Sequence, residues 1–422
     1  MSDRPLKVLS VSTSDSEGGA ARAAYRIHKA MRDLGVESRM FVKEKMTEDP
    51  TVSSIEDFIP HHALYRGYDW ARNKVKNKWQ HYLWGKYPDR EKYFMSDLRA
   101  TDIGNALRKI DYDVLHLHWI NLRFLSLKQL PKDKPIIWTL HDSWPFCGVC
   151  HLPFECTGYK AECGHCPSLH SQKTKDLSHR VWRDKARIYD GLDLHIVAPS
   201  RWMADCARKS SLLGHFDIRT IPNCIDASLF CPGSKEDSCR RLGLDPEKRH
   251  FLFGAMFALE DPNKGFSYLR AAIQHLPENL RNSAELVLFG SDKPIEQEIS
   301  SMRVINLGIL KDSGLIVSAY RAADVTIVPS LSENLSCALM ETLACGTPAT
   351  AFNIGGNADL VDHQTNGYLA KEKDVEDLAA GIAWCLENNT DGRLSTNARD
   401  KVLTHYSPAV VAQAYLDIYT SV

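Results

Sequence analysis

The stretch Val325-Thr326-Ile327-Val328-Pro329-Ser330-Leu331-Ser332-Glu333-Asn334-Leu335, continuing through Glu341 to Ala344-Cys345-Gly346-Thr347-Pro348, decides how this chain is read. Its β-branched start predicts a buried strand that stops at the proline, which has no N–H to extend a ladder. Leu335 to Cys345 then predicts a helix closed by Gly346, with Pro348 just beyond it. A strand, a tight turn and a helix N-terminus make a natural anion site, because backbone N–H groups and the helix dipole converge there. Glu333 falls in the turn and Glu341 in the helix, eight residues later. A carboxylate cannot itself hold an anion, so these two are expected to serve other groups in the same pocket, such as hydroxyls.

Outward from this stretch, two halves of the chain each alternate strand-like and helical runs, the pattern of doubly wound α/β domains. In the first half strands are expected at Lys7–Ser12, Arg39–Val42, Asp113–His118, Ile136–His141 and Leu194–Pro199. In the second they are expected at Phe251–Met256, Glu285–Gly290, Val304–Leu307, Val325–Pro329 and Thr347–Phe352. Gly18-Gly19 opens a helix whose apolar stripe reads Ala20, Ala24, Ile27, Met31 and Leu34, stopped by Gly35. Glycines between a first strand and its helix let a backbone come close to a bound group.

Composition bounds the function. The 422 residues suffice for two or three domains, with 44% apolar and 25% charged residues as in ordinary globular proteins. A net charge of −1 gives no general case for nucleic acid as a partner. No apolar run approaches the roughly 20 residues a membrane-spanning helix needs. With no signal-peptide pattern at Met1 to Pro5, the expectation is a soluble cytoplasmic protein.

Several side chains could carry chemistry. His116 and His118 flank Leu117 near a strand end and share one face, while His141-Asp142-Ser143-Trp144-Pro145 closes the next strand. Carboxyl ends of strands are where open sheets bind ligands. Lys264, in Asn263-Lys264-Gly265-Phe266, precedes a predicted helix, where a cation is misplaced unless an anion binds there too. Cys147, Cys150, Cys156, Cys163 and Cys166 crowd into residues 147–167. Cys150, Cys156, Cys163 and Cys166 have a spacing compatible with structural zinc, a closed tetrahedral site with no catalytic role. Reduced thiols or a single disulfide fit that loop equally well. Residues 62–93 hold Tyr65, Arg66, Tyr68, Trp70, Arg72, Lys74, Lys76, Lys78, Trp79, Tyr82, Trp84 and Lys86 with few acids. This mixture suits a membrane interface or a lipid-phosphate acceptor, and equally a helix whose aromatics pack on its own domain.

Glu333 and Glu341 in this setting resemble the E-x7-E element of glycosyltransferase family 4, retaining nucleotide-sugar enzymes of the GT-B fold. Ile354-Gly355-Gly356-Asn357-Ala358-Asp359 and Asn366-Gly367-Tyr368-Leu369 are similar to the rest of that signature, and Thr139-Leu140-His141-Asp142 resembles its sugar-pocket histidine run. The resemblance implies two Rossmann-like domains facing a central cleft: an acceptor domain over 1–218, a nucleotide-sugar domain over 219–402, and a helix over 403–422 crossing back to the first. It implies that Glu341 binds ribose hydroxyls, that Glu333 and His141 sit against the donor sugar, and that amides near Asn334 and Leu335 hold phosphate. Gly18 and Gly19 would lie near the donor, His118, Asp142 and Trp144 near the sugar or acceptor, and Lys264 on the diphosphate. Two departures stand out: Asn263 occupies a place where the family often has arginine, and Ile221-Pro222-Asn223-Cys224-Ile225-Asp226 carries cysteine for a usual glycine. Cys224 should therefore not need a positive φ.

The activity implied is transfer of a hexose from a nucleoside diphosphate sugar to a glycan or lipid-linked glycan in polysaccharide biosynthesis. It would run with retention, without a catalytic metal or cofactor, and with peripheral contact at the inner face of the membrane. Two alternatives remain, a nucleotide-sugar epimerase on the same fold and an inactive zinc-stabilised interaction protein.

Overall fold

Short apolar runs without polar alternation become central strands covered on both faces, as parallel sheets require. The computed structural model describes residues 4–58, 78, 82–91 and 103–422. The chain divides into two units, Met1–Ile221 with Ala412–Val422, and Pro222–Val411. The terminal helix Pro408–Tyr419 thus starts in the second unit and ends in the first.

The first unit has seven strands: β1 (Lys7–Ser14), β2 (Glu37–Glu44), β3 (Val52–Ser54), β4 (Val114–Leu117), β5 (Ile136–Thr139), β6 (Leu194–Ala198) and β7 (Ile218–Thr220). They form one parallel sheet in the order β3-β2-β1-β4-β5-β6-β7. The order runs one way from β1 and the other way from β4, so the switch point lies between those two strands. Every residue of β4 and β5 is buried.

The second unit also has seven: β8 (Arg249–Gly254), β9 (Ala284–Phe289), β10 (Glu298–Ile299), β11 (Met302–Asn306), β12 (Val325–Val328), β13 (Ala349–Phe352) and β14 (Gly367–Ala370). Their order is β10-β11-β9-β8-β12-β13-β14, with only β10 antiparallel to its neighbour. Here the switch point lies between β8 and β12. Alternate residues of β8 feed two cores: Leu252 packs with Val287, Leu339 and Leu343, while Phe251 and Phe253 pack with Leu286, Leu288 and Ile327.

The expected strands all form, with ends shifted by a residue or two. The sequence reading missed β3, β7, β10 and β14, which are short edge strands or, in β14, open on a glycine. The helix after Gly18 spans Gly19–Asp33, and its buried face is Ala21, Ala23, Ala24, Ile27, His28, Ala30 and Met31. Ala20 and Leu34, assigned to that face from sequence, are only partly covered or exposed, because Leu34 already lies past the helix end that Gly35 closes at φ 84°. Cys224 is buried and is not among the positive-φ residues.

Most of the basic, aromatic stretch from Tyr65 to Trp79 lies outside the described residues. Of its members that are described, Trp84 packs against the first unit's core with Arg90 over its ring, and Lys86 lies over the ring of Tyr82. Among the described residues no helix is long and apolar enough to cross a membrane.

Candidate active site

In the first unit β4 and β5 end side by side at the switch point, delivering His118 and His141 to one another. His118 Nδ1 lies 3.0 Å from His141 Nε2, with the rings stacked at 5.2 Å. His116, two residues earlier on the same face, lies under His118 with ring centroids 4.0 Å apart. Its Nε2 meets Thr139 Oγ1 at 2.8 Å and its Nδ1 meets Tyr419 Oη at 2.6 Å. Thr139 Oγ1 in turn meets Tyr415 Oη at 2.8 Å.

Burial keeps these imidazoles uncharged. It lowers His141 from the ordinary 6.5 to about 4, against partial opposition from Asp142. Burial, reinforced by His141, lowers His116 to about 3, and burial with its histidine neighbours takes His118 well below 6.5. At neutral pH His141 can thus hydrogen-bond a neutral hydroxyl but carries no charge.

Asp142 organises the loop that follows. Its carboxylate accepts from Trp119 Nε1 at 2.7 Å, from the Trp144 amide at 2.9 Å and from His151 Nδ1 at 2.5 Å. Burial alone would raise its pKa, and His151 with these donors outweighs burial, so the net shift is downward. Trp144, expected near the sugar, is 3% exposed; it lines a small cavity together with His118 and His141, and Lys185 Nζ lies 3.6 Å from its ring centre. Lys185 Nζ also donates to the carbonyls of Trp144 and, at 2.8 Å, of Cys147, pinning the loop from beneath. Gly18 caps the first helix at φ 88° with no side-chain cap.

In the second unit the loops after β8 and β12 close on each other at the other switch point. Lys264 Nζ pairs with Glu333 Oε1 at 2.8 Å, with the side chains 26% and 16% exposed. Glu333, before the effect of burial, holds Lys264 above its ordinary value, so it is an ammonium throughout the physiological range. The pair is held by backbone on both sides. Gly265, at φ 74°, lies so close to the end of β12 that an added Cβ would sit 1.9 Å from Pro329 O. Gly355, at φ 52°, approaches Glu333 in the same way, with an added Cβ 1.8 Å from its carbonyl oxygen. The Gly356 amide donates to that oxygen at 3.2 Å, and Asn357 Nδ2 secures the loop to Phe352 O at 3.0 Å.

Asn263 was read from sequence as the place of a missing arginine. It is buried, and Nδ2 donates to Ser332 O at 2.9 Å while its carbonyl accepts from the Leu331 amide at 2.9 Å. It is a brace for the Glu333 turn, so Lys264 is the cation this loop presents. Two helices start here: Phe266–His275, with Gly265 as its cap, and Cys337–Ala344, capped by Ser336 through the Leu339 amide. Asn334 and Leu335 lie in the turn leading to the second helix. Glu341 lies one helical turn inside, buried, and accepts from Tyr320 Oη at 3.2 Å.

The cysteine-rich loop continues from the Asp142 loop, where Ser143 Oγ donates to Cys150 O at 3.2 Å. Cys147, Cys150, Cys156, Cys163 and Cys166 line one small cavity, and none of the twelve cysteines is in a disulfide. They do not form the tetrahedral set the spacing suggested: among the described residues no three metal-ligating groups converge on a point that could hold an ion. Cys163 Sγ instead accepts from the Gly148 amide at 3.2 Å, and Cys150 Sγ lies 3.5 Å from Ser168 Oγ. The Cys150 contact, then burial, raises the Cys166 thiol, and burial raises Cys163 to about 11.

Sequence reasoning missed Tyr320, Tyr415, Tyr419 and Lys185. Nothing local tells Tyr419 that its partner lies 303 positions away.

Two doubly wound sheets, each with polar side chains gathered at its switch point, define a two-domain Rossmann-like glycosyltransferase of the GT-B fold. Residues 17–229, half of the chain, match the model of Glycosyltransferase Family 4, and residues 235–401 match that of Glycosyl transferases group 1. The chain belongs to glycosyltransferase family 4. It is 30% identical over 390 residues to a D-inositol 3-phosphate glycosyltransferase of Thermobispora bispora, covering 88% of this chain and 82% of that one. It is 24% identical over 324 residues to an Escherichia coli (strain K12) protein provisionally named as a colanic acid biosynthesis glycosyl transferase, WcaC, covering 74% and 75%. The solved structure of HepE from Anabaena, in complex with UDP and glucose, superposes with a TM-score of 0.65 at 16% identity, covering 99% of this chain and 100% of that one.

Proposed function

We propose that this glycosyltransferase moves a hexose, with retention, from a nucleoside diphosphate sugar to a hydroxyl of a glycan or lipid-linked glycan in polysaccharide biosynthesis. The observation that carries the reading is the Lys264–Glu333 pair at the second sheet's switch point, 2.8 Å apart and beside two helix N-termini. An ammonium and amide dipoles suit a departing diphosphate, whose charge grows in the transition state. The adjacent carboxylate suits sugar hydroxyls and a developing positive charge at the anomeric carbon. Glu341, inside the helix, suits the ribose, and neutral His141 of the first unit suits a sugar hydroxyl.

The UDP bound to HepE supports a uridine diphosphate donor, and the name given to the E. coli relative supports a polysaccharide product. The chemistry needs no metal: Lys264 supplies the charge a cation would otherwise bring. The enzyme would act in the cytoplasm at the inner face of the membrane, where a lipid-linked acceptor is exposed.

The test incubates the protein with UDP-glucose, UDP-galactose and GDP-mannose, first alone and then with lipid-linked glycans. Transfer only with acceptor, and an anomeric proton coupling in the product matching the donor's configuration, is expected. Conversion of the donor sugar without any acceptor would replace this reading by epimerisation.

A further inference from the structure

His118 and His141 share one hydrogen bond between two ring nitrogens, and a neutral imidazole has one N–H and one lone pair. One of the two must donate, and that choice fixes which nitrogen of His141 carries its proton. The surroundings decide it. Tyr419 is buried, and its hydroxyl meets His116 Nδ1, so the phenol proton goes there and His116 is protonated on Nε2. That Nε2–H donates to Thr139 Oγ1, which leaves Thr139 to donate to Tyr415. Both nitrogens of His116 are therefore engaged, and the ring stacked beneath His118 has nothing to offer it.

His118 Nε2 is buried without a hydrogen-bond partner among the described residues. If His141 donated, that atom would be a buried, unsatisfied N–H. If His118 donates from Nδ1, it is a bare lone pair. Orphaned buried donors are the rarer and costlier of the two.

We infer that His118 is a positioning residue: its Nδ1–H donates to His141 Nε2 and holds His141 as the neutral tautomer protonated on Nδ1. The second nitrogen of His141 is then a hydrogen-bond donor and not a lone pair, suited to a sugar hydroxyl oxygen. Tyr419, three residues from the end of the chain, acts one step further back by saturating His116. The link to catalysis rests on the sugar-contacting role proposed for His141; the tautomer does not.

The test is 15N NMR of histidine-labelled protein, in which ring shifts distinguish a protonated from a bare nitrogen, on wild type, His118→Phe and His118→Asn. In wild type His141 is expected to be protonated on Nδ1 and bare on Nε2. His118→Phe keeps the ring volume and removes the donor, so His141 should become a mixture of tautomers. The kcat should then fall about 10- to 100-fold, with donor KM changed less than about threefold. His118→Asn places an amide N–H near the old Nδ1 and should restore the single tautomer and most of the rate. A His141 protonated on Nε2 in wild type, or a tautomer unmoved in His118→Phe, would overturn the inference. Should the phenylalanine variant not fold, the wild-type and asparagine spectra still decide it. The expected tautomer shift with an unchanged kcat would uphold the tautomer assignment and remove His141 from the sugar site.

Discussion

The two sheets put opposite chemistry at the same topological place. At the switch point of the first, three imidazoles lie ring against ring and uncharged, His116 and His118 buried and His141 partly covered. At that of the second, an ammonium and a carboxylate face each other while still in contact with water. Desolvation explains the division. Desolvation lowers His116, His118 and His141, which stay neutral hydrogen-bonding groups. Lys264 keeps its charge because Glu333 faces it and the pair is not fully dry. A nucleotide sugar is itself divided this way, with a neutral hydroxylated ring and a charged diphosphate. On the proposed function, the neutral imidazole suits a hydroxyl of that ring and the ammonium suits the diphosphate, with Glu333 turned to the ring beside it.

Removing the charge should break the comparison most severely. Lys264→Ala takes away the cation and leaves Glu333 unopposed where phosphate is expected. The kcat/KM for the donor should fall about 10³-fold, the scale for losing one preorganised electrostatic contact. Isothermal titration with UDP should show weaker binding as well. Retention of wild-type kinetics would remove Lys264 from the diphosphate site.

The next effect concerns the frame that holds the pair. Gly355→Ala forces a Cβ to within 1.8 Å of Glu333 O and strains a positive φ. It should cost about 3 kcal/mol in chemical denaturation and displace the Glu333 turn. An equal substitution at Gly392, also at positive φ but with nothing within 4 Å, separates backbone strain from the clash.

The strand, turn and helix around Glu333, and the placement of His141 at a strand end, were legible because local periodicity and turn residues specify them. The partnership of Lys264 with Glu333 was foreshadowed only as a shared family role. Their contact spans 69 residues and depends on Gly265 and Gly355 letting three loops close. Asn263 was read only as the place of an arginine, because a departure from a family pattern is visible in sequence and a buried brace is not. The cysteines were ambiguous for a similar reason: spacing sets which thiols come near one another, while burial and side-chain direction set whether they converge. Tyr419 left no local signal at all.

Acidification should separate the two sites next. His28 and His141 are lowered to about 4 and His116 to about 3, chiefly by burial, from an ordinary 6.5. The folded first unit therefore binds fewer protons than its unfolded chain. Stability is complete above about pH 6.5 and is lost as pH falls toward 4, by about 3 kcal/mol for each of these histidines. Tryptophan fluorescence reads this directly, since every tryptophan except Trp384 precedes Pro222. A denaturation midpoint flat between pH 7 and 4.5 would show that the imidazoles are not buried neutral.

The smallest expected effect is the most discriminating, because it has opposite signs in two measurements. Glu333→Gln keeps the side chain's size and an oxygen for Lys264, and removes one negative charge from beside the expected diphosphate. Free UDP carries no sugar for Glu333 to contact, so its affinity should rise about tenfold, or about 1.4 kcal/mol. Transfer from the intact donor should fall, because the carboxylate no longer faces the sugar and its developing positive charge. If Glu333 only braced the loop, both quantities would fall together as the turn loosened. If it were an incidental surface charge, neither would move. Only the divided response fits a site in which the cation belongs to the leaving group and the carboxylate to the ring.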